Sequence, residues 1–220
     1  MTAAPLTDVA QRLLVHVDHD SGDLAEAVMR VPVTAYSDDE AYQRELREIF
    51  LKVPLVICLT ADLRENGDHF AIEIADRPVV CVRGKDGRVR SFINACLHRG
   101  AKVACEGFGR ERRLACPYHA WVYDTDGSLV GVPQRDQFGD IDVTGLVEIP
   151  TEERSGLIFS VLTPGAPMDL DAWLGDMAGA LEMLDLADVH RFENTTTLAS
   201  GNWKSTADGY VDGYHVSYLH

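Results

Sequence analysis

Two short segments of the chain join thiols to imidazoles: Cys96-Leu97-His98 and, after an interval of 17 residues, Cys116-Pro117-Tyr118-His119. Two thiolates and two neutral imidazoles satisfy a tetrahedral zinc ion. They equally suit a two-iron, two-sulfide cluster, with the cysteines on one iron and the histidines on the other. Zinc sites of this stoichiometry usually draw the two cysteines from one stretch and the two histidines from another. Here each arm supplies one of each, which lets both arms reach both irons. A second group stands near the last residue of the sequence. Asp212 and His215 are three apart, so on a helix they share a face, and His215 and His220 are five apart. A five-residue interval is awkward on a regular helix and suits a distorted turn or π-bulge. Two histidines with a carboxylate form a facial set for non-haem Fe(II), with coordination positions left open.

These residues need a scaffold. Ser37-Asp38-Asp39-Glu40 reads as a capping box with Ser37 as the cap, opening a helix that carries Tyr42, Leu46, Ile49 and Phe50 and stops before Pro54. From Leu55 to Thr163 the pattern changes to short strands: Val53–Leu59, Phe70–Ala75, Pro78–Arg83, Val89–Asn94, Leu146–Pro150 and Leu157–Leu162. Asp-Gly turns at 85–88 and 125–128 supply hairpin chemistry, and both Cys-His arms fall at strand ends or in loops. Thr163–Pro167 is a linker, and Asp169 caps a helix running to Leu186 with Leu170, Trp173, Leu174, Met177, Leu181 and Leu184 on one face. Arg191–Ser200 is strand-like. The expected fold class is α+β: an arm and helix over 1–54, an all-β domain over 55–163, and from 168 to 220 the opening of an α+β domain.

Lys and Arg number 20 against 35 Asp and Glu, for a net charge of −15. Nucleic acid and anionic membrane both reward basic patches, so neither is an expected partner. No apolar run approaches the ~20 residues of a spanning helix. The first ten residues have no signal-peptide pattern, so the expected location is the cytoplasm. Five cysteines are too few for a disulfide scaffold. Cys58 and Cys81 read as buried strand residues and Cys105 as a loop thiol. His16, His19, His69 and His190, isolated from other ligand types, read as surface or loop residues, and Trp203 as core.

The extended arms Cys96-Leu97-His98-Arg99-Gly100 and Cys116-Pro117-Tyr118-His119-Ala120-Trp121 resemble the Rieske domain of Rieske non-haem iron oxygenases. The second cysteine that the respiratory-chain type carries in the later loop is missing. Asn202-Trp203-Lys204 followed by Asp212, His215 and His220 is similar to the start of the catalytic domain, of helix-grip type, in the same family. The resemblance implies a [2Fe–2S] cluster on Cys96, His98, Cys116 and His119, and a mononuclear Fe(II) on His215 and His220. It makes Asp212 the catalytic carboxylate that bridges this iron site to a Rieske histidine of a neighbouring subunit. It implies electrons from NADH through a reductase, with or without a ferredoxin, an α3 or α3β3 oligomer, and dioxygen with a small aromatic substrate. The stretch Asp212–Ser217 is most similar to the α subunits of benzoate, toluate and anthranilate dioxygenases, which points to an aromatic carboxylate. Backbone N–H groups near Gly100 and Ala120 are expected to bond the sulfurs, and Tyr118 and Trp121 to shield the cluster. There are departures. The family often has Glu-Asn where this chain has Asp208-Gly209, and its third iron ligand is a carboxylate far downstream. The chain is therefore expected to be part of a protein about twice as long, and not a competent oxygenase alone. A Rieske electron carrier, and a monooxygenase or demethylase of the same fold, are the alternative readings, with a structural zinc protein behind them.

Overall fold

The structure is a computed structural model, and it describes residues 6–142, 144–193 and 200–219. Its class is α+β. The described residues group into two compact units, one drawn from Met1–Gln43 with Thr195–His220 and the other from Arg44–Asn194.

The second unit is built on strands β1 (Leu55–Leu59), β2 (Asp68–Ile74), β3 (Arg77–Arg83), β4 (Val89–Ile93), β5 (Gly107–Arg110), β6 (Leu114–Ala115), β7 (Val122–Tyr123), β8 (Leu129–Gly131), β9 (Glu148–Ile149), β10 (Thr151–Arg154) and β11 (Leu157–Ser160). They form three antiparallel sheets, ordered β1-β11-β10, β5-β2-β3-β4-β9 and β6-β7-β8. The central strand β3 reads Pro78-Val79-Val80-Cys81-Val82 because both of its faces are covered. Val79 and Cys81 join Ile57, Cys58, Ile149, Ile158 and Leu162 in one core. Val80 and Val82 point the other way, into a core with Phe92, Leu114, Trp121, Tyr123 and both arm cysteines, Cys96 and Cys116. The metal-type residues thus sit at the edge of a packed core, which fixes their positions.

Turn chemistry sets the registers. Both Asp-Gly turns occur where the sequence places them. In the β3–β4 turn the Gly84 N–H donates to the Arg88 carbonyl at 2.8 Å, and in the β7–β8 turn the Gly127 N–H donates to the Asp124 carbonyl at 2.9 Å. Gly127 has φ 86°, and a Cβ there would stand 2.4 Å from Phe92 Cε1, so this turn has no room for a side chain. The β2–β3 turn runs through Ala75 and Asp76 at φ 50° and 59°, a twist-compatible two-residue turn made without glycine.

Several expectations need correction. Ser37 does not cap the helix. It ends a short helix, α2 (Thr34–Ser37), and Asp38 Oδ1 instead accepts from the Glu40 N–H at 2.9 Å to open α3 (Asp39–Glu45). The nearer carboxylate outcompetes the hydroxyl for the unpaired donors of the first turn. The helix then finishes as a π-helical turn over Leu46–Phe50. Asp169 does cap, accepting from the Ala172 N–H at 2.9 Å, but the single helix expected to Leu186 is broken. Gly175, at φ 48°, separates α4 (Leu170–Leu174) from α5 (Met177–Glu182). His69 is not a surface residue: it is buried on β2, its ring against Gly109, where a Cβ would lie 2.6 Å from Nε2. Arg191–Glu193 are not strand, and the rest of that expected strand, 194–199, lies outside the described residues. Trp203 is more than a third exposed in this chain, not core.

The first unit contains α1 (Leu6–Asp18), α2, most of α3, then α6 (Trp203–Val211) and α7 (Val216–Leu219). None of the described helices is long and apolar enough to cross a membrane.

Candidate metal centre

The two Cys-His arms are built alike. In the first, the Cys96 N–H donates to the Ala101 carbonyl at 2.8 Å and the Gly100 N–H returns to the Cys96 carbonyl at 2.7 Å. In the second, the Cys116 N–H donates to the Trp121 carbonyl at 2.8 Å and the Ala120 N–H returns to the Cys116 carbonyl at 3.0 Å. Each loop closes through a residue of positive φ, Gly100 at 76° and Ala120 at 53°. The Gly100 and Ala120 N–H groups themselves are spent on carbonyls, and in the second arm it is amides beside Ala120 that turn to sulfur, as the sequence suggested. The amides that face the Cys116 sulfur are those of Tyr118 and His119.

The first arm hangs from Asn94, which is buried. Its side-chain oxygen accepts from the Val103 and Ala104 N–H groups at 2.9 and 3.1 Å, and its amide donates to the Ala104 carbonyl at 2.9 Å. Tyr123, fully buried on β7, ties both sides of the site together. Its hydroxyl accepts from the Leu97 N–H at 3.1 Å and stands 3.2 Å from Cys96 Sγ. With Leu97 donating to the phenol oxygen, the single hydroxyl hydrogen is free to turn to Cys96 Sγ, and it is the only hydrogen between them once that sulfur is a thiolate. Burial and the contact with Cys96 both push the phenol above its ordinary value, which keeps it a donor. Neither Asn94 nor Tyr123 stood out in the sequence: both are buried polar residues in strand contexts, and only their partners mark them.

Cys96 and Cys116 are 2% and 4% exposed. Burial pushes the Cys116 thiol up, but the N–H groups of His119 and Tyr118 and a hydrogen bond with Cys96 outweigh it, and the net shift is downward. Donors that lower a thiol pKa are donors that stabilise thiolate. The imidazoles pair with each other: the rings of His98 and His119 lie 4.7 Å apart at 62°. Trp121 stacks on His98 at 5.0 Å and 8°, and Phe138 meets the edge of His98 at 5.7 Å. Tyr118 stacks on His119 at 3.9 Å but is itself exposed. Cys58 and Cys81 are buried and Cys105 exposed, as the sequence indicated.

Two observations test which group fits. His98 Nδ1 is buried without a hydrogen-bond partner, a cost that bonding to a metal removes. Among the described residues no three His, Cys, Asp or Glu side chains converge to hold one ion. Zinc wants four donors about a single point. A sulfur pair beside an imidazole pair is the donor set of a two-iron cluster, in which each iron takes two ligands from the protein. The residues fit [2Fe–2S] better than zinc.

The second group is placed differently from expectation. Helix α6 ends at Val211, and Asp212 and His215 stand in the break before α7 and not on one helix. They still meet: Asp212 Oδ2 faces His215 Nδ1 at 3.4 Å, and Asp212 Oδ1 accepts from the Tyr214 N–H at 2.8 Å. With Nδ1 turned to the carboxylate, Nε2 is the nitrogen a metal would take. His220 lies outside the described residues.

Comparison with known proteins agrees with this chemistry. The Rieske [2Fe-2S] domain family matches residues 53–151. The chain is 35% identical over 189 residues to the 2-aminobenzenesulfonate 2,3-dioxygenase subunit alpha of Alcaligenes sp, covering 82% of this chain and 47% of that protein. Among solved structures, a quaternary ammonium Rieske monooxygenase, described in terms of carnitine oxidation by gut microbiota and inter-subunit electron transfer, superposes with a TM-score of 0.79 at 26% identity. It covers 88% of this chain and 58% of that one. Naphthalene 1,2-dioxygenase from Rhodococcus sp. superposes with a TM-score of 0.72 at 28% identity, covering 99% of this chain and 50% of that one. The chain spans about half the length of the curated relatives it matches.

Proposed function

From the premise that this chain belongs to the Rieske oxygenase α subunits, we propose that it is the electron-receiving part of a terminal oxygenase. In this reading the whole protein hydroxylates a small aromatic substrate, an aromatic carboxylate being the first class to test. The observation that carries it is the pairing of two buried cysteines with two adjoining imidazoles on matched loops. Bound to the protein, a [2Fe–2S] cluster on Cys96, His98, Cys116 and His119 supplies one-electron transfer, and an Fe(II) on His215 and His220 supplies dioxygen activation.

The chain's own residues do the rest. Tyr123 and the amides of Tyr118 and His119 offer hydrogens to sulfur, which favours the more negative, reduced state of the site. Trp121 and Phe138 exclude water from one side of His98. Asp212 accepts from His215 Nδ1, fixing that ring, and offers its carboxylate to a Rieske histidine of an adjoining subunit. That role requires an oligomer, α3 or α3β3, and a reductase or ferredoxin as donor. The likeness to a structure concerned with inter-subunit electron transfer supports it.

The test is product analysis with the whole protein, a reductase, NADH and isotopically labelled dioxygen. Two labelled oxygens in a dihydroxylated aromatic product support the reading. A second reading, oxidation of a quaternary ammonium compound with one labelled oxygen, is favoured by the match to the monooxygenase structure. Turnover of betaine or carnitine with no turnover of aromatic acids would select it and remove the first.

A further inference from the structure

Helix α6 is a weak helix where the proposed iron site needs a firm one. Gly209 lies within it and Gly213 just beyond, and glycine costs about 1 kcal/mol in a helix interior. Asp208 and Asp212 are four apart at its C-terminal end, where like charges repel and the helix dipole disfavours both. The support comes from a residue 172 positions away in sequence. The phenol of Tyr36, in α2, donates to Asp208 Oδ2 at 2.6 Å. The Tyr36 carbonyl accepts from Asn202 Nδ2 at 3.0 Å, and Asn202 in turn caps the helix by accepting from the Lys204 N–H at 3.0 Å. One residue of the leading arm therefore grips α6 at its cap and again in its second turn.

The contacts continue to the site. The Asp208 carbonyl accepts from the Asp212 N–H at 2.9 Å, and the Asp212 carboxylate holds the Tyr214 amide and faces His215 Nδ1. We propose that Tyr36 is a positioning residue for the Asp212–His215 pair: by donating to Asp208 it holds that carboxylate off Asp212 and fixes the end of α6 from which Asp212 reaches the imidazole. Asp208, the acid left where the family's Glu-Asn pair is altered, takes its hydrogen-bond donor from the arm. The catalytic role of the pair rests on the function proposed above; the positioning itself does not.

The experiment compares Tyr36→Phe, Asp208→Asn, the double variant and Asp212→Asn in the whole, metal-loaded protein. It reads residue-resolved amide exchange and, separately, electron transfer from the reduced cluster to the mononuclear site. Tyr36→Phe keeps the carbonyl contact to Asn202. It is expected to speed exchange at the Asp212 and Tyr214 amides about fivefold, to leave the Ser205 amide at the N-terminal end of α6 unchanged, and to slow electron transfer about fivefold, as loss of one modest hydrogen bond implies. Asp208→Asn takes away the charge that Tyr36 holds off Asp212 while leaving an oxygen acceptor for the phenol, so Tyr36→Phe should change little further in that background. Unchanged exchange at Asp212, general loosening that includes Ser205, or additive effects of the two substitutions would overturn the proposal. If Asp212→Asn leaves electron transfer intact, the relay role of Asp212 falls, while the exchange data still decide whether Tyr36 positions it. Should Tyr36→Phe not fold, Asp208→Glu, which keeps the charge and moves the carboxylate off the phenol, carries the same readouts, and unchanged exchange at Asp212 in it would overturn the proposal.

Discussion

Tyr123→Phe isolates one hydrogen bond at the cluster site. The ring stays in its fully buried place, and the substitution deletes the hydroxyl that lies 3.2 Å from Cys96 Sγ and 3.1 Å from the Leu97 N–H. Reduction adds negative charge beside that sulfur, so the donor stabilises the reduced state more than the oxidised one. A hydrogen bond to a charged acceptor contributes about 1.5–3 kcal/mol, and the share that differs between two states one electron apart is about 1 kcal/mol. For a one-electron couple about 1.4 kcal/mol corresponds to about 59 mV, so the potential should fall by about 40 mV. The assay is a spectroscopic redox titration of both proteins at one pH, with labile sulfide measured to show equal cluster content. A potential unchanged within about 10 mV, or one that rises, would refute the assignment of the Tyr123 hydrogen to Cys96.

Other outcomes follow from the same geometry. Cys116→Ala or His119→Ala should abolish the visible iron–sulfur spectrum of the folded protein, and a retained spectrum would remove that residue from the ligand set. Asn94→Ala leaves the Val103 and Ala104 amides and the Ala104 carbonyl without their buried partner; it should cost about 2–3 kcal/mol in denaturant unfolding and loosen cluster retention. Ala120→Gly removes a positive-φ penalty and should leave the spectrum intact while raising stability by up to about 1 kcal/mol. Arg83 forms a two-pronged pair with Glu153 and holds that carboxyl below its usual range. A depressed carboxylate contributes stability that is complete above its ordinary value of 4.5 and is lost as pH falls through the folded value. Glu153→Gln should therefore lower the melting temperature near neutrality and flatten its fall at acidic pH, which thermal melts across pH will show.

The meeting of the two Cys-His arms was the most legible part of the sequence, because residue types and spacing single out Cys96, His98, Cys116 and His119 directly. The Asp-Gly turns and the longer strands were legible for the same reason: local chemistry decides them. Strands of two to four residues, such as β6, β7 and β8, were not, since so short a run has no measurable alternation. The Ala75-Asp76 turn was hidden because tertiary context imposes positive φ on residues that do not advertise it. Burial of His69 depended on the absent side chain of Gly109 across the β2–β5 pair, a non-local fact. Tyr123 and Asn94 were invisible as site residues because a buried polar side chain is identified by its partners, and those partners lie up to 27 residues away. The Asp212–His215 pairing was legible, but its place in a helix break was not.

Mixed cysteine and histidine ligation of a two-iron, two-sulfide cluster on the two Cys-His arms is open to direct measurement. The most direct measurement is acid-labile sulfide per polypeptide on anaerobically purified protein, with nitrogen hyperfine spectroscopy of the reduced sample. The expected result is about two labile sulfides per chain and nitrogen couplings from imidazole ligands, which are lost with the cluster in a His98→Ala variant. A colourless protein with no labile sulfide and about one zinc per chain would contradict it.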